Sequence, residues 1–408
     1  MMELTTLANG LRVVTRTMPS VETVAVGLYA DTGSRFETAH ENGIAHLVEH
    51  MVFKGTRSRS ARAIAEAVED VGGSLNAYTA RDATVFHARM LARDLPLGLE
   101  IITDLIRDPR FDDEELVREK QVVLQELGEA RDTPDDIIFD HLQEAAYPDQ
   151  PLGRSILGDE ASVNALDAGA LRRWIDTQFC PETLVIAAAG KVDHDRLVRQ
   201  AEGLWSDLAP RARPHPAPAR YLGGRQADDR RFEQAHLTLA YEAPATLDPD
   251  HYAVRLFAEA AGGGMSSRLF QELREERGLA YSIYATTQSF TDSGLFTVYC
   301  ATARRDAAKA MALTREVLAR AADGLEPAEL ERARAQAKAG LLMSLESCQG
   351  QADYIARQLV VHGGLIKPAE VIAALDAVTL DQVRAVAGRL LSGPAASASV
   401  GIALSEAA

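Results

Sequence analysis

The stretch Gly43–Thr56 reads GIAHLVEHMVFKGT and contains His46, Glu49 and His50 in the order H-x-x-E-H. Residues three and four apart lie on one face of an α-helix, so the two imidazoles and the carboxylate share a face. Two neutral imidazoles can hold a zinc ion, and a carboxylate beside them can take a proton from a metal-bound water. This order is the inverted zincin motif. The stretch therefore predicts a helix that carries a metal site.

The same segment has the pattern of an amphipathic helix. Asn42 is of a type that caps helix N-termini, and Gly43 would open the helix. Behind the polar face, apolar side chains recur at Ile44, Leu47, Val48 and Met51. The alternative is two surface histidines and a solvated glutamate without a metal. A third ligand elsewhere in the chain would favour the metal site.

The composition is that of a globular protein with more than one domain. The chain has 408 residues, of which 47% are hydrophobic and 25% charged. Lys and Arg number 43 against 59 Asp and Glu, which gives a net charge of -16. This balance argues against nucleic acid as a partner and favours cationic ligands, including basic peptides. Solubility alone is the other explanation of the acidic balance.

Cysteine content and hydropathy exclude several classes of protein. Cys180, Cys300 and Cys348 are far apart and form no CxxC pair, so neither a disulfide framework nor a cysteine zinc site is expected. The N-terminal residues show no basic-then-apolar signal, and no apolar run is long enough to span a membrane. We therefore expect a cytoplasmic protein without a membrane partner.

A strongly helical stretch, Asp112–Ala130, contains candidates for the third ligand. Its first turn is acidic, which suits the helix dipole, and its apolar stripe consists of Leu116, Val123 and Leu127. Glu119 and Glu126 are seven residues apart and point the same way. Either one could complete a His, His, Glu set for zinc. A glutamate in an acidic helix is more often solvent-exposed, however.

The second half of the chain repeats the first after about 210 residues. A proline-rich linker separates the two halves, which predicts domains at 1–209 and 225–408 and a linker at 210–224. Aligning Glu115 with Glu329 places Ala333 and Gly340 opposite the two candidate glutamates. We expect a helix at Ser266–Arg274 in the position of the metal-motif helix. Because that stretch contains no histidine, only the first half is expected to bind metal.

The chain resembles the pitrilysin family of inverted zincin metallopeptidases over nearly its whole length. It is most similar to the mitochondrial processing peptidase β subunit and its bacterial homologues. The HxxEH motif and Glu126, at the family's distance from His50, carry this resemblance. So do the GGxxNAxT pattern at Gly72–Thr79 and the pair Arg274 and Tyr281 in LREERGLAY.

The resemblance implies a fold class and a set of site residues. The fold would be α+β, with two homologous α/β-roll domains, each a mostly antiparallel sheet flanked by helices, that form half of a clamshell. Zinc would be held by His46, His50 and Glu126, with Glu49 as general base on a zinc-bound water. Glu119 would assist without binding zinc, while Arg274 and Tyr281 would anchor substrate and oxyanion. Substrate would pair with an edge strand at Asn76 and Ala77, and we expect Phe53 to contact it as well.

The resemblance also implies a function and an assembly. We expect a zinc-dependent endopeptidase that hydrolyses unfolded peptides or presequence-like segments in a closed chamber. Four such domains close the chamber in relatives, so this chain is expected to form a homodimer, or a heterodimer with a paralogue. The alternatives are a catalytically idle member that only binds peptides, and a metal-stabilised structural protein. Processing and general peptide clearance both remain open.

Overall fold

The computed structural model describes residues 1–211 and 215–404. They form two compact units. Unit 1 comprises Met1–Leu127, Ser155–Ala217 and Ser344–Leu365, and unit 2 comprises Gly128–Arg154, Pro218–Met343 and Ile366–Ala408. Across the described part of the chain, no helix is both long enough and apolar enough to cross a membrane.

The sheet of unit 1 has six strands. They are β1 (Met2–Thr6), β2 (Arg12–Thr17), β3 (Thr23–Ala30), β4 (Ser74–Thr79), β5 (Thr84–Leu91) and β6 (Leu184–Gly190). Their order in the sheet is β1-β2-β6-β3-β5-β4. Neighbours are antiparallel except β2 and β6, which run parallel. Strand β4 therefore lies at the edge of the sheet, with its free side away from β5.

The sheet of unit 2 repeats this topology with five strands. They are β7 (Gly224–Asp228), β8 (Ala235–Glu242), β9 (Ala280–Ser289), β10 (Gly294–Thr302) and β11 (Ala395–Val400). The order is β7-β11-β8-β10-β9, with only the pair β7 and β11 parallel. Corresponding strands lie about 210 residues apart in the sequence. The shared strand order and directions are those of a duplicated domain.

Fourteen helices flank the two sheets in the described residues. They are α1 (Ile44–Val52), α2 (Ala61–Glu69), α3 (Leu95–Arg107), α4 (Asp113–Asp132), α5 (Pro134–Ala146), α6 (Glu160–Ala165), α7 (Ala168–Gln178), α8 (His194–Trp205), α9 (His251–Gly262), α10 (Ala307–Gly324), α11 (Pro327–Ser344), α12 (Cys348–His362), α13 (Pro368–Ala377) and α14 (Leu380–Ser392). A π-helical turn at Phe270–Glu276 precedes β9.

Each sheet is buried on both faces because the two halves of the chain exchange one helix. In unit 1, α1, α3 and α7 pack on one face, and α12 from the second half covers the other. On that covered face Ile355, Ala356 and Leu359 pack against Val14, Tyr29, Val85, Val185 and Ala187. In unit 2, α5 from the first half covers the matching face. Burial on both sides explains why β6, LVIAAAG, has no polar alternation.

These observations confirm the α+β class and the mostly antiparallel sheets flanked by helices. The exchanged helices are a feature that the sequence pattern did not reveal, since α5 and α12 look like ordinary continuations of their own halves. The linker predicted at 210–224 stays a prediction, and its residues 212–214 lie outside the described part of the chain.

The exchanged helix α12 supplies a test of the fold. Leu359 is 0% exposed against the sheet of unit 1, so Leu359→Ala should lower the free energy of unfolding by about 2–5 kcal/mol through lost burial and a residual cavity. Leu342→Ala, at a leucine that is 51% exposed, is the matched control and should change it by less than about 0.5 kcal/mol. Urea unfolding followed by circular dichroism measures both. Equal stability of the two variants would contradict the packing of α12.

Candidate metal centre

Helix α1 presents the motif because its other side is fully buried. Ile44, Leu47, Val48 and Met51 are each 0% exposed in the core of unit 1. The opposite face, with His46, Glu49 and His50, is only partly buried. The helical spacing predicted from the sequence is thus the spacing of the structure, and the three side chains share one face.

The predicted cap of α1 is wrong in detail. The N-cap is Gly43, whose positive φ of 92° favours glycine, rather than Asn42. The buried carboxylate of Glu37 accepts hydrogen bonds from the main-chain N–H groups of Gly43 and Ala45, at 2.9 Å each. Asn42 donates its side-chain amide to the same carboxylate at 2.8 Å. A carboxylate that precedes the helix by several residues therefore satisfies the free amides of its first turn.

Helix α4 brings both candidate glutamates to the motif. The predicted apolar stripe is buried, and Glu119 is buried with it at 5% exposure. The general expectation that such a glutamate is solvent-exposed does not hold here. Glu126, two turns later, is partly exposed. The two carboxylates occupy different sides of the histidine pair.

Three side chains bring ligand atoms together as a metal site would. One ligand atom from each of His46, His50 and Glu126 lies within 4.8 Å of the other two. The Oε2 atom of Glu126 is 3.7 Å from His46 Nε2 and 3.6 Å from His50 Nε2. No other group of three such side chains is found in residues 1–211 and 215–404.

These distances fit a shared zinc ion better than direct hydrogen bonds. They exceed the usual N···O hydrogen-bond range. Two atoms that each lie about 2.1 Å from zinc at a tetrahedral angle are about 3.4 Å apart. Two imidazole nitrogens and one carboxylate oxygen are also a donor set that zinc accepts while keeping a further position open. The residues present therefore fit the metal.

Glu119 orients the imidazole of His50 through the Nδ1 atom of that ring. Its Oε2 atom lies 3.2 Å from His50 Nδ1, and its Oε1 atom lies 2.7 Å from Lys54 Nζ. When His50 donates from Nδ1, its Nε2 atom carries the lone pair that faces Glu126 and His46. Lys54 was not predicted, although its position one turn after His50 on the same face was a signal for it.

His46 is held as a neutral imidazole. Burial, and to a lesser degree the charge of His50, lowers the pKa of His46 to about 4. Its Nδ1 atom is buried and has no hydrogen-bond partner among the described residues. A neutral imidazole is the form in which histidine binds metal.

Glu49 reaches the strand at the sheet edge. The Thr79 hydroxyl donates a hydrogen bond of 2.6 Å to Glu49 Oε2. Burial raises the pKa of the Glu49 carboxyl above its ordinary value, and the bond from Thr79 opposes that shift. Thr79 belonged to the quoted NAxT pattern but was not predicted to contact the site.

The predicted substrate residues of unit 1 have different surroundings. Asn76 is exposed on β4, and its Oδ1 atom accepts the main-chain N–H of Ala77 at 2.8 Å. Ala77 packs partly against the core. Phe53, directly after α1, is partly buried and lies 6.4 Å from the Phe86 ring, centroid to centroid. The structure thus places Phe53 in the packing beneath the motif helix.

The two predicted anchors of unit 2 lie side by side. Arg274 belongs to the π-helical turn, and its guanidinium carbon lies 5.3 Å from the centroid of Tyr281 and 4.6 Å from that of Phe270. Tyr281 is 76% exposed near the start of β9. π-helical turns recur at functional sites. The structure therefore presents a cation and an aromatic hydroxyl together at the surface of unit 2.

The position of the motif helix is taken in unit 2 by α9, so the expectation for Ser266–Arg274 is wrong. Helix α9 follows β8 as α1 follows β3, and the π-helical turn follows α9 as α2 follows α1. The buried residues of α9 are alanine, larger apolar residues and one glycine. Unit 2 therefore keeps the scaffold with a packed helix in place of the metal face.

Comparisons with known protein families agree with this duplication. Residues 12–160 match the family described as Insulinase (Peptidase family M16), and residues 165–337 match the one described as Peptidase M16 inactive domain.

Relatives of similar length come from several bacteria. A protein of Rickettsia bellii described as an uncharacterized zinc protease is 36% identical over 396 residues, which cover 97% of this chain and 96% of that protein. A Bacillus subtilis protein with the same description is 34% identical over 389 residues, which cover 95% of this chain and 95% of that protein.

Solved structures share the fold. A protease from Helicobacter pylori superposes with a TM-score of 0.90 at 21% identity, and the match covers 98% of this chain and 99% of that one. A peptidase M16 inactive domain from Pseudomonas fluorescens gives a TM-score of 0.89, also at 21% identity, over 99% and 98%.

The contact between Glu119 and His50 predicts a change in metal affinity. In Glu119→Ala the imidazole loses the acceptor that orients it, so zinc affinity should fall about 10–100-fold. Glu114→Ala, at an exposed position in the first turn of the same helix, should bind zinc like wild type. Competition with a chromophoric chelator measures both affinities. An unchanged affinity in Glu119→Ala would show that Glu119 does not support the metal site.

Proposed function

We propose a function for this chain, which belongs to the insulinase family of zinc metallopeptidases, family M16. It is an endopeptidase for unfolded peptides or presequence-like segments. The observation that carries this proposal is the convergence of His46, His50 and Glu126 beside the carboxylate of Glu49. Three ligands and an adjacent base are the minimum that metal-assisted hydrolysis needs.

The residues of unit 1 divide into ligands, base and support. His46, His50 and Glu126 would hold zinc, and Glu119 would keep His50 in the tautomer that binds metal. When bound, zinc supplies Lewis acidity, which acidifies water and polarises a peptide carbonyl. Glu49 would accept the proton of the attacking water and pass it to the leaving amine.

The substrate would bind as an extra strand on the free edge of β4. The Asn76 side chain accepts the main-chain N–H of Ala77, so pairing at Ala77 would displace it. Arg274 and Tyr281 would hold the substrate and the developing oxyanion. The net charge of -16 supports a preference for basic peptides.

We further propose that the working form is a homodimer that closes a chamber, with a heterodimer containing a paralogue as the alternative. This chain has two of the four domains that the family resemblance implies for a closed chamber. In such a dimer Arg274 and Tyr281 of one subunit would serve the metal centre of the other. A chamber of this kind would admit unfolded chains and exclude folded proteins.

The role of Glu49 can be tested by cleavage of a basic, quenched-fluorescent peptide of about twenty residues, roughly the length of a presequence. Glu49→Gln should retain zinc and lose at least about 10²–10⁴-fold in kcat, because the proton acceptor is gone. A chelator should stop the wild-type protein. Glu66→Gln is the matched control, since the Glu66 side chain pairs with Arg62 on the exposed surface of α2. Wild-type cleavage by Glu49→Gln would refute the assignment.

Subunit mixing tests whether the anchors act on the partner. Glu49→Gln and Arg274→Ala should each be inactive alone. If Arg274 serves the other subunit, random exchange between the two should restore about a quarter of the wild-type rate, since half of the dimers contain one intact site. Light scattering establishes that dimers are present. A mixture as inactive as its components would contradict action across subunits, and a fully active monomer would contradict the dimer itself.

A further inference from the structure

Strand β4 ends at the residue that holds the proposed base. It is the outermost strand of its sheet, next to β5. The Ala80 N–H bonds the Ala83 carbonyl at 2.7 Å where the two strands join. In an antiparallel pair, main-chain groups alternate between the partner and the free side. The N–H and C=O groups of Leu75, Ala77 and Thr79 therefore lie on the free edge, where an added strand would pair.

Two polar groups of these free-edge residues already have acceptors inside the chain. The Ala77 N–H donates to the flexible side chain of Asn76 at 2.8 Å. The Thr79 hydroxyl donates a hydrogen bond of 2.6 Å to the carboxylate of Glu49. The first acceptor is an exposed side chain that can move away, whereas the second belongs to the motif helix. An added strand can thus pair with the main chain of Ala77, and at Thr79 it would come next to the Glu49 carboxylate.

We infer that Thr79 is a positioning residue that ties the proposed base to the strand that takes the substrate. Its hydroxyl holds the Glu49 carboxylate at the end of the free edge, so one residue sets the distance between the paired backbone and the proton acceptor. This inference rests on the proposed function and specifies where on β4 the scissile bond lies: next to Thr79, beyond the pairing site at Ala77.

The competing explanation is that the hydroxyl only satisfies a half-buried carboxylate. The two explanations differ in which quantities a substitution changes. A positioning residue affects the turnover number and leaves peptide affinity, zinc content and stability near their wild-type values. A residue that only stabilises the fold changes the melting temperature and leaves the turnover of folded protein unaltered.

The experiment compares Thr79→Val, Thr79→Ser and the control Thr286→Val in the full chain. Valine keeps the β-branched shape that suits a strand and removes the hydroxyl, whereas serine keeps the hydroxyl. Thr286 is exposed on β9 of unit 2. Thr286→Val therefore makes the same chemical change at a strand position away from the site. For each variant kcat and KM are measured on the twenty-residue peptide, together with zinc content and melting temperature.

Thr79→Val should lose about 10–100-fold in kcat, because a misdirected base costs up to about 10²-fold, with zinc content and melting temperature unchanged. Thr79→Ser should stay within about threefold of wild type, and Thr286→Val should equal it. Peptide affinity is measured by fluorescence anisotropy in the Glu49→Gln background, where hydrolysis is stopped. In that background, adding Thr79→Val should change the peptide affinity by less than about twofold, since Thr79 acts through Glu49.

Three results would overturn the inference: wild-type kcat in Thr79→Val, loss of kcat in Thr79→Ser equal to that in Thr79→Val, or loss of zinc from Thr79→Val. These results are distinct from failure of the proposed function. If wild type cleaves the peptide and Glu49→Gln does not, a normal Thr79→Val rejects only the positioning role. If Glu49→Gln cleaves like wild type, the proposed base itself is wrong.

Discussion

The burial of one side of helix α1 in the core of unit 1 is the contact on which the site depends. With Ile44, Leu47, Val48 and Met51 all removed from water, the rotation of the helix about its axis is set, and the polar residues must face outward from the core. Glu37 anchors the first turn by accepting its amides. The metal-binding face is therefore held by packing that contains none of its own chemistry, which is how a site is kept pre-organised.

Around this helix, two separate elements add three contacts to the motif. Helix α4 supplies Glu126 as the third candidate ligand and Glu119 as the partner of His50. Strand β4 supplies Thr79 to Glu49. Because ligand, base and substrate edge come from different elements, their relative positions depend on the sheet that carries them. Unit 2 repeats the sheet without this chemistry, and its helix α9 buries apolar residues in the core.

The sequence predicted those features that depend on local spacing. Helical periodicity placed His46, Glu49 and His50 on one face. The family resemblance implied Glu126 rather than Glu119 as the third ligand, where spacing along α4 alone left both possible. It did not reveal the roles of Lys54 and Thr79, whose contacts join residues that are distant in the chain or are set by side-chain direction. The cap was predicted from residue type, and a carboxylate six residues before Gly43 displaced it.

The order of residues along the chain was thus sufficient for the duplicated halves and the inverted zincin motif, because each follows from spacing or from a repeat that can be read along the chain, and the resemblance to a known family supplied the class of fold. The tertiary structure decided which glutamate turns toward which nitrogen, which threonine meets the base and which helices cover the outer faces of the sheets. Those outcomes depend on burial against partners from other parts of the chain. The exchange of α5 and α12 shows the reason: their apolar faces could pack on either sheet by pattern alone, and only the complete packing selects one.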